Sequence, residues 1–120
     1  MGFAPSTIRL RSPAFTAGGP IPARYTGEGE DVSPPLAWSA SGRSVQGFAV
    51  ICHDPDAPLI GGNGTYGFVH WVLYNIPGSV SQLPEGVRDH TSGTNDFGRT
   101  GYGGPMPPNG HGQHRYYFWV

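Results

Sequence analysis

The stretch Phe68-Val-His-Trp-Val-Leu-Tyr-Asn-Ile76 decides the fold class, because it is the longest window in the 120-residue chain without Gly or Pro. Its nine residues are fewer than the ~10–14 of an ordinary α-helix, so no part of the chain has room for a standard helix interior. Successive residues of a strand lie on opposite faces, which would place His70 and Trp71 on different faces. Because both faces are mostly apolar, the pattern predicts a central strand buried on both sides.

Shorter runs with strand-like patterns lie on both sides of this window. Thr7–Ser12 alternates apolar and polar residues and predicts a half-exposed strand, and Leu36–Trp38 predicts a short one. The nearly continuous apolar run Gln46–Cys52 predicts a second central strand covered on both faces, and His114–Val120 predicts the last strand. Residues 77–112, rich in Gly and Pro, predict a long surface excursion. Short strands separated by turn residues are typical of a β-sandwich or barrel.

Composition and charge limit the classes of function. The 20 glycines and 13 prolines are offset by three Trp, six Tyr and six Phe, most of them in compact blocks, which indicates a folded chain. A net charge of −1 gives no electrostatic reason to bind nucleic acid or an anionic membrane. The only cysteine, Cys52, excludes an intrachain disulfide and fits a reducing compartment. With no signal peptide and no run of ~18 apolar residues, we expect one cytoplasmic domain spanning residues 1–120.

The segment Asp54-Pro-Asp-Ala-Pro58 predicts a stiff bend at the end of the second central strand. Each proline fixes its own φ and pushes the preceding residue to an extended conformation, so two carboxylates can be aimed at one point. His70 follows on the next strand, and Gly103–Tyr116 forms a second segment rich in Pro and His. We expect these pieces to converge on one small pocket.

Each of these features also has a plainer interpretation. Asp and Pro dominate ordinary turns, and a histidine on an apolar strand face is more often a hydrogen-bonded core residue than a ligand contact. His111 and His114 have a spacing compatible with zinc, but no third thiolate or helical His pair accompanies them, so we predict neither a metal nor a cofactor. The chain has no Gly-x-Ser-x-Gly motif and no phosphate-binding P-loop. Cys52 ends a buried strand and is not expected to act as a nucleophile.

Three blocks, taken together and in order, resemble the phosphatidylethanolamine-binding protein family, and most closely its prokaryotic, Raf-kinase-inhibitor-like branch. They are Gly29–Trp38, Asp54–Pro58 with His70-Trp-Val72, and Gly103–Tyr117, which contains Pro-Pro-Asn-Gly-His-Gly-Gln-His-Arg-Tyr. The resemblance implies an antiparallel β-sandwich with long loops and a small anion pocket for phosphate-like head groups. Carried over residue by residue, it implies a pocket formed by Asp54, Asp56, Pro58, His70, Pro108, His114 and Tyr116.

Two departures from the family pattern stand out. Family members often have Trp where this chain has Phe68, so an aromatic face is kept but an indole N–H donor is lost. The chain also ends at Val120 within an aromatic run, and it looks C-terminally truncated, without the family's C-terminal strand and helix. An open strand edge there would allow pairing with a second copy, as a homodimer.

The resemblance implies a non-enzymatic binding module with a regulatory role and a small anionic ligand such as phosphate or phosphoethanolamine. One alternative is a hydrolase or lyase that uses an Asp–His acid–base pair in the same pocket. A second is an inhibitor of a kinase or protease that acts through the surface of residues 77–112. Because a nearby carboxylate favours the charged imidazole, we expect a cationic His70 or His114 and tighter anion binding as the pH falls from about 8 to 6.

Overall fold

The computed structural model describes residues 8–39, 45–56, 67–105 and 115–119. Within these ranges the chain forms β-strands and one turn of 3-10 helix, Ala23–Tyr25, and no helix there is long and apolar enough to cross a lipid bilayer. The strands, in chain order, are β1 (Arg9–Arg11), β2 (Leu36–Ser39), β3 (Gly47–Asp54), β4 (Phe68–Pro77), β5 (Gln82–Leu83), β6 (Thr91–Ser92) and β7 (Tyr117–Trp119).

The strands form two antiparallel sheets that pack face to face. One has the order β1-β2-β5 and the other β6-β4-β3-β7. Trp38 on β2 and Phe48 on β3 join the sheets through an edge-to-face contact with ring centroids 5.3 Å apart. The buried core consists of Leu36, Trp38, Phe48, Val50, Cys52, Trp71, Leu73, Ile76 and Leu83. The predicted antiparallel β-sandwich is confirmed.

Strand β3 is central in its sheet, but only one of its faces is covered. Phe48, Val50 and Cys52 are buried, whereas the alternating Ala49 and Ile51 are exposed, Ile51 to 38%. The prediction of cover on both faces is therefore wrong. A two-layer sandwich buries one face of each sheet, and the apolar character of a strand does not reveal whether a further layer lies outside it.

Strand β4 is interrupted by two β-bulges, and this changes which residues face the core. Cys52 pairs with Trp71 while His53 pairs with Val69, so His70 is an extra residue on β4. A bulge of this kind re-aims side chains and disrupts strict alternation. His70 and Trp71 are accordingly both buried, at 4% and 2% exposure. The predicted placement of these two residues on opposite faces is wrong.

The second bulge on β4 lies nearer the end of the strand. Phe48 pairs with Ile76 and Val50 with Leu73, which leaves one extra residue on β4. Asn75, with φ of 58°, lies within this bulge, and Asn is one of the few residues that adopt the left-handed region readily. The bulge restores the inward direction for Ile76, which is fully buried.

The region predicted as a surface excursion contributes to both sheets. Its described part, residues 77–105, supplies β5 to the three-stranded sheet and β6 to the four-stranded one. Leu83 on β5 is 2% exposed and belongs to the core. The excursion is therefore structural rather than peripheral in this part, and residues 106–112 lie outside the described ranges.

Candidate functional site

Three of the residues predicted to form the pocket come together at one end of the four-stranded sheet. Asp54 is the last residue of β3 and is 2% exposed, His70 is the bulged residue of β4, and Tyr116 directly precedes β7. The Tyr116 ring lies edge to face with the His70 imidazole, with ring centroids 5.4 Å apart. Of the other four predicted residues, Asp56 is described and lies in the bend after β3. Pro58, Pro108 and His114 lie outside the described residues.

The backbone of Gly103 fixes the orientation of the His70 ring. His70 Nδ1 lies 2.8 Å from the Gly103 carbonyl oxygen, and the Gly103 N–H donates to the His70 carbonyl oxygen at 3.0 Å. Because a carbonyl oxygen only accepts, Nδ1 carries the proton, and Nε2 of the neutral ring is an acceptor. A Cβ at position 103 would overlap the Phe97 ring, so this close approach requires glycine.

The pKa of His70 is lower than the ordinary value for histidine. Burial is the largest cause, and it outweighs the opposing effects of the Gly103 hydrogen bond and of the carboxylates of Asp54, Asp96 and Asp31. The imidazole is therefore mainly neutral at pH 7 in the unliganded protein. The expectation of a cationic His70 or His114 is therefore wrong for His70, because desolvation is stronger than the attraction of the carboxylates. His114 lies outside the described residues.

Three aromatic rings surround the imidazole. Phe68 and Phe97 lie with ring centroids 4.8 Å and 5.6 Å from His70, in addition to Tyr116. Phe68 thus keeps the aromatic face expected at this position. Phe97 was missed by sequence reasoning, because it lies in a polar Gly-containing turn and no pattern around it indicates burial against a histidine. It is 43% exposed, and Arg99 lies over its ring at 5.0 Å.

The two carboxylates of the predicted stiff bend have different partners. Asp54 Oδ1 accepts the Asp56 N–H at 2.8 Å, an Asx-turn that closes the bend on itself. The Asp56 carboxylate accepts three hydrogen bonds from Arg115, from its backbone N–H, its Nε and its Nη2. Arg115 was not among the predicted site residues, although its place between His114 and Tyr116 in the family-like motif was a usable signal.

Tyr116 provides a protonated hydroxyl at any physiological pH. Burial, followed by the charge of Asp54, raises its pKa to about 12. The buried thiol of Cys52 also has a raised pKa, chiefly because of desolvation. Cys52 is also 0% exposed, which supports the prediction that it does not act as a nucleophile.

A cavity of about 880 Å³ lies beside Tyr116, between residues 10–21 and strand β7. Arg115 and Tyr116 form part of its wall, whereas His70 and Asp54 do not line it. Tyr116 therefore belongs both to the cavity wall and to the His70 cluster, by which we mean Asp54, Phe68, His70, Phe97 and Tyr116. In the described part of the chain no group of three or more His, Cys, Asp or Glu side chains could hold a metal ion. His111 and His114 lie outside that part.

Comparison with known proteins identifies one matching family and several similar proteins. The phosphatidylethanolamine-binding protein family profile matches residues 11–120. A UPF0098 protein of Aquifex aeolicus is 45% identical over 119 residues, covering 94% of this chain and 66% of the relative. A UPF0098 protein of Pyrococcus horikoshii is 45% identical over 109 residues, covering 83% of this chain and 52% of the relative.

Solved structures agree with this assignment. A putative phosphatidylethanolamine-binding protein homolog from Chlamydia trachomatis has a TM-score of 0.83 at 38% identity, covering 95% of this chain and 73% of that one. E. coli YbcL, described as a new member of the mammalian family, has a TM-score of 0.82 at 32% identity over 94% and 74%. The chain spans about half to two thirds of the two UPF0098 relatives. It belongs to the phosphatidylethanolamine-binding protein family.

Proposed function

We propose that this chain is a non-catalytic binding module that holds a small phosphate-like anion at His70. The observation that carries the proposal is the bulge at His70, which turns the imidazole to the same side of the sheet as Asp54 and brings it against Tyr116. Family membership supports a binding type of function. Two potential donors, the Tyr116 hydroxyl and a protonated Nε2, are the groups that an anion needs.

Binding is expected to take up a proton. The Nδ1 proton of His70 is committed to Gly103, so Nε2 can donate to an anion only when the ring is cationic. The pKa of His70 lies below its ordinary value in the free protein, and a bound anion raises it. Between these two pKa values the affinity increases by about tenfold for each unit of decreasing pH, and it levels off below the lower one.

Calorimetric titration of phosphoethanolamine and sulfate at pH 8, 7, 6 and 5 tests this. Sulfate has no titrating proton in this range, so a rise in its affinity toward low pH reports on the protein. Titration in two buffers with different ionisation enthalpies counts the protons taken up. Sulfate affinity that is flat, or that increases with pH, would contradict the proposal.

The variant His70→Gln should reduce anion affinity by more than about tenfold, the loss typical of a charge-assisted contact. His53→Gln is the matched control, because His53 lies between buried Cys52 and Asp54 on β3 and thus on the outer face of the same sheet. Equal losses in both variants would show that the anion does not bind at the His70 cluster.

A second function is favoured by one observation. A neutral imidazole with a lone pair on Nε2, beside the Asp54 carboxylate, is the form required of a general base. A panel of phosphate and carboxylate esters would reveal it. Turnover that is lost in both His70→Gln and Asp54→Asn would replace the binding module with a hydrolase or lyase.

A further inference from the structure

The ion pair between Asp56 and Arg115 joins two segments that flank the His70 cluster. Arg115 Nε and Nη2 each lie 2.9 Å from a carboxylate oxygen of Asp56, and the backbone N–H of Arg115 donates to Oδ2 at 2.7 Å. A bidentate pair fixes the relative orientation of its partners more strictly than a single contact. The additional backbone bond fixes the peptide at position 115 as well as its side chain.

This pair is one link in a chain of contacts that runs from Asp54 to His70. Asp56 is tied to Asp54 through its own N–H, at 2.8 Å. Arg115 is followed directly by Tyr116, whose ring packs against His70. The paired residues of β3 and β7 begin at His53 and Tyr117, so Arg115 and Tyr116 precede the ladder.

We propose that Asp56 is a positioning residue, which holds Tyr116 against His70 through Arg115 and does not itself contact the bound anion. The inference rests on the proposed function for the identity of the ligand, and it concerns how the site is assembled. Asp54, the other carboxylate of the same five-residue motif, instead accepts the Asp56 N–H.

The charges around Asp56 support this role. The carboxylate of Asp56 lies against a guanidinium and the backbone N–H of the same residue, which offset its negative charge. Three of the roughly four acceptor positions of a carboxylate are thereby used by Arg115. The side chain of Arg115 is 67% exposed, so forming the ion pair with Asp56 removes little water from the guanidinium and its desolvation cost is small.

The first test needs no ligand. With isotope-labelled Tyr and His, the nuclear Overhauser effect between the Tyr116 and His70 rings should be strong in the wild type and weak or absent in Asp56→Asn. Glu85→Gln is the matched control, because Glu85 forms a comparable bidentate pair with Arg24 away from His70. The control should keep the effect at wild-type strength. An unchanged effect in Asp56→Asn would overturn the inference.

The second test is a double-mutant cycle in phosphoethanolamine affinity. Asp56→Asn and Tyr116→Phe should each weaken binding, by about five- to tenfold for a lost hydrogen-bonded contact. If Asp56 acts through Tyr116, the double variant should be no weaker than the worse single variant within about twofold. Losses that multiply would mean that Asp56 contacts the anion independently, and would overturn the inference.

Arg115→Lys provides a further comparison, because lysine keeps the charge and loses the bidentate geometry. It should behave like Asp56→Asn; a wild-type affinity and ring contact in this variant would count against positioning. If the wild type binds no anion at all, the proposed function fails, while the ring contact still decides whether Asp56 positions Tyr116.

Discussion

At the scale of single residues, the site depends on how closely the chain approaches itself around His70. Asp54, His70 and Tyr116 could be selected from the sequence because the family-like motifs contain them. The protonation state of His70 could not be predicted from the sequence, because its pKa depends on burial and no motif reveals how deeply a residue is buried. Phe97 was missed for a related reason, because its partner His70 is distant in sequence and is set only by the folded sheets. Arg115 lies in the family-like motif, but the motif does not indicate its distant partner Asp56.

Gly103→Ala tests this close approach. A methyl group would overlap the Phe97 ring, and overpacking of this kind costs about 1–3 kcal/mol in the free energy of unfolding. Gly98→Ala is the comparison, because its φ of 81° is strained for alanine while no atom lies within 4 Å of the added methyl; about 1 kcal/mol is expected there. Urea denaturation measures both. A smaller loss for Gly103→Ala than for Gly98→Ala would contradict the steric account.

At the scale of the elements, strand β4 shows where sequence patterns fail. Its length and its central position follow from the window without Gly or Pro, but its two bulges do not. A bulge is a property of the pairing, since it appears only when the residues of β4 are set against those of β3. The two-residue strands β5 and β6 were missed for the same reason, because tertiary pairing alone defines them.

Substitutions of Asn75 test whether the second bulge of β4 requires a left-handed backbone conformation. Its φ of 58° is accessible to Asn and Gly but strained for a β-branched residue. Asn75→Val should therefore reduce the free energy of unfolding by about 1–2 kcal/mol, even though valine has the higher strand propensity. Asn75→Gly should change it by less than about 1 kcal/mol. Equal stability of the Val and wild-type proteins in urea would indicate that position 75 does not need the left-handed conformation.

At the scale of the whole molecule, the neutral His70 couples stability to pH. Its pKa is lowered on folding, so the unfolded chain binds more protons than the folded protein between the folded pKa and the ordinary value near 6.5. Stability consequently rises with pH through this window and is lost as the pH falls below about 6.5. Anion binding has the opposite dependence, because it requires the cationic ring. Both the pH dependence of stability and that of anion affinity therefore follow from protonation of the His70 imidazole.

Thermal unfolding with and without sulfate distinguishes these trends. Without ligand, the melting temperature of the wild type should fall between pH 7 and pH 5 by more than that of His70→Gln, which has no imidazole to protonate at this site. With sulfate, the stabilisation of the wild type should grow as the pH falls, since a ligand that binds only the folded state stabilises it in proportion to the logarithm of its affinity. His53→Gln should follow the wild type in both series. If sulfate instead stabilises the wild type equally at pH 7 and pH 5 while His70→Gln loses as much stability as the wild type, the protonation of His70 controls neither folding nor binding.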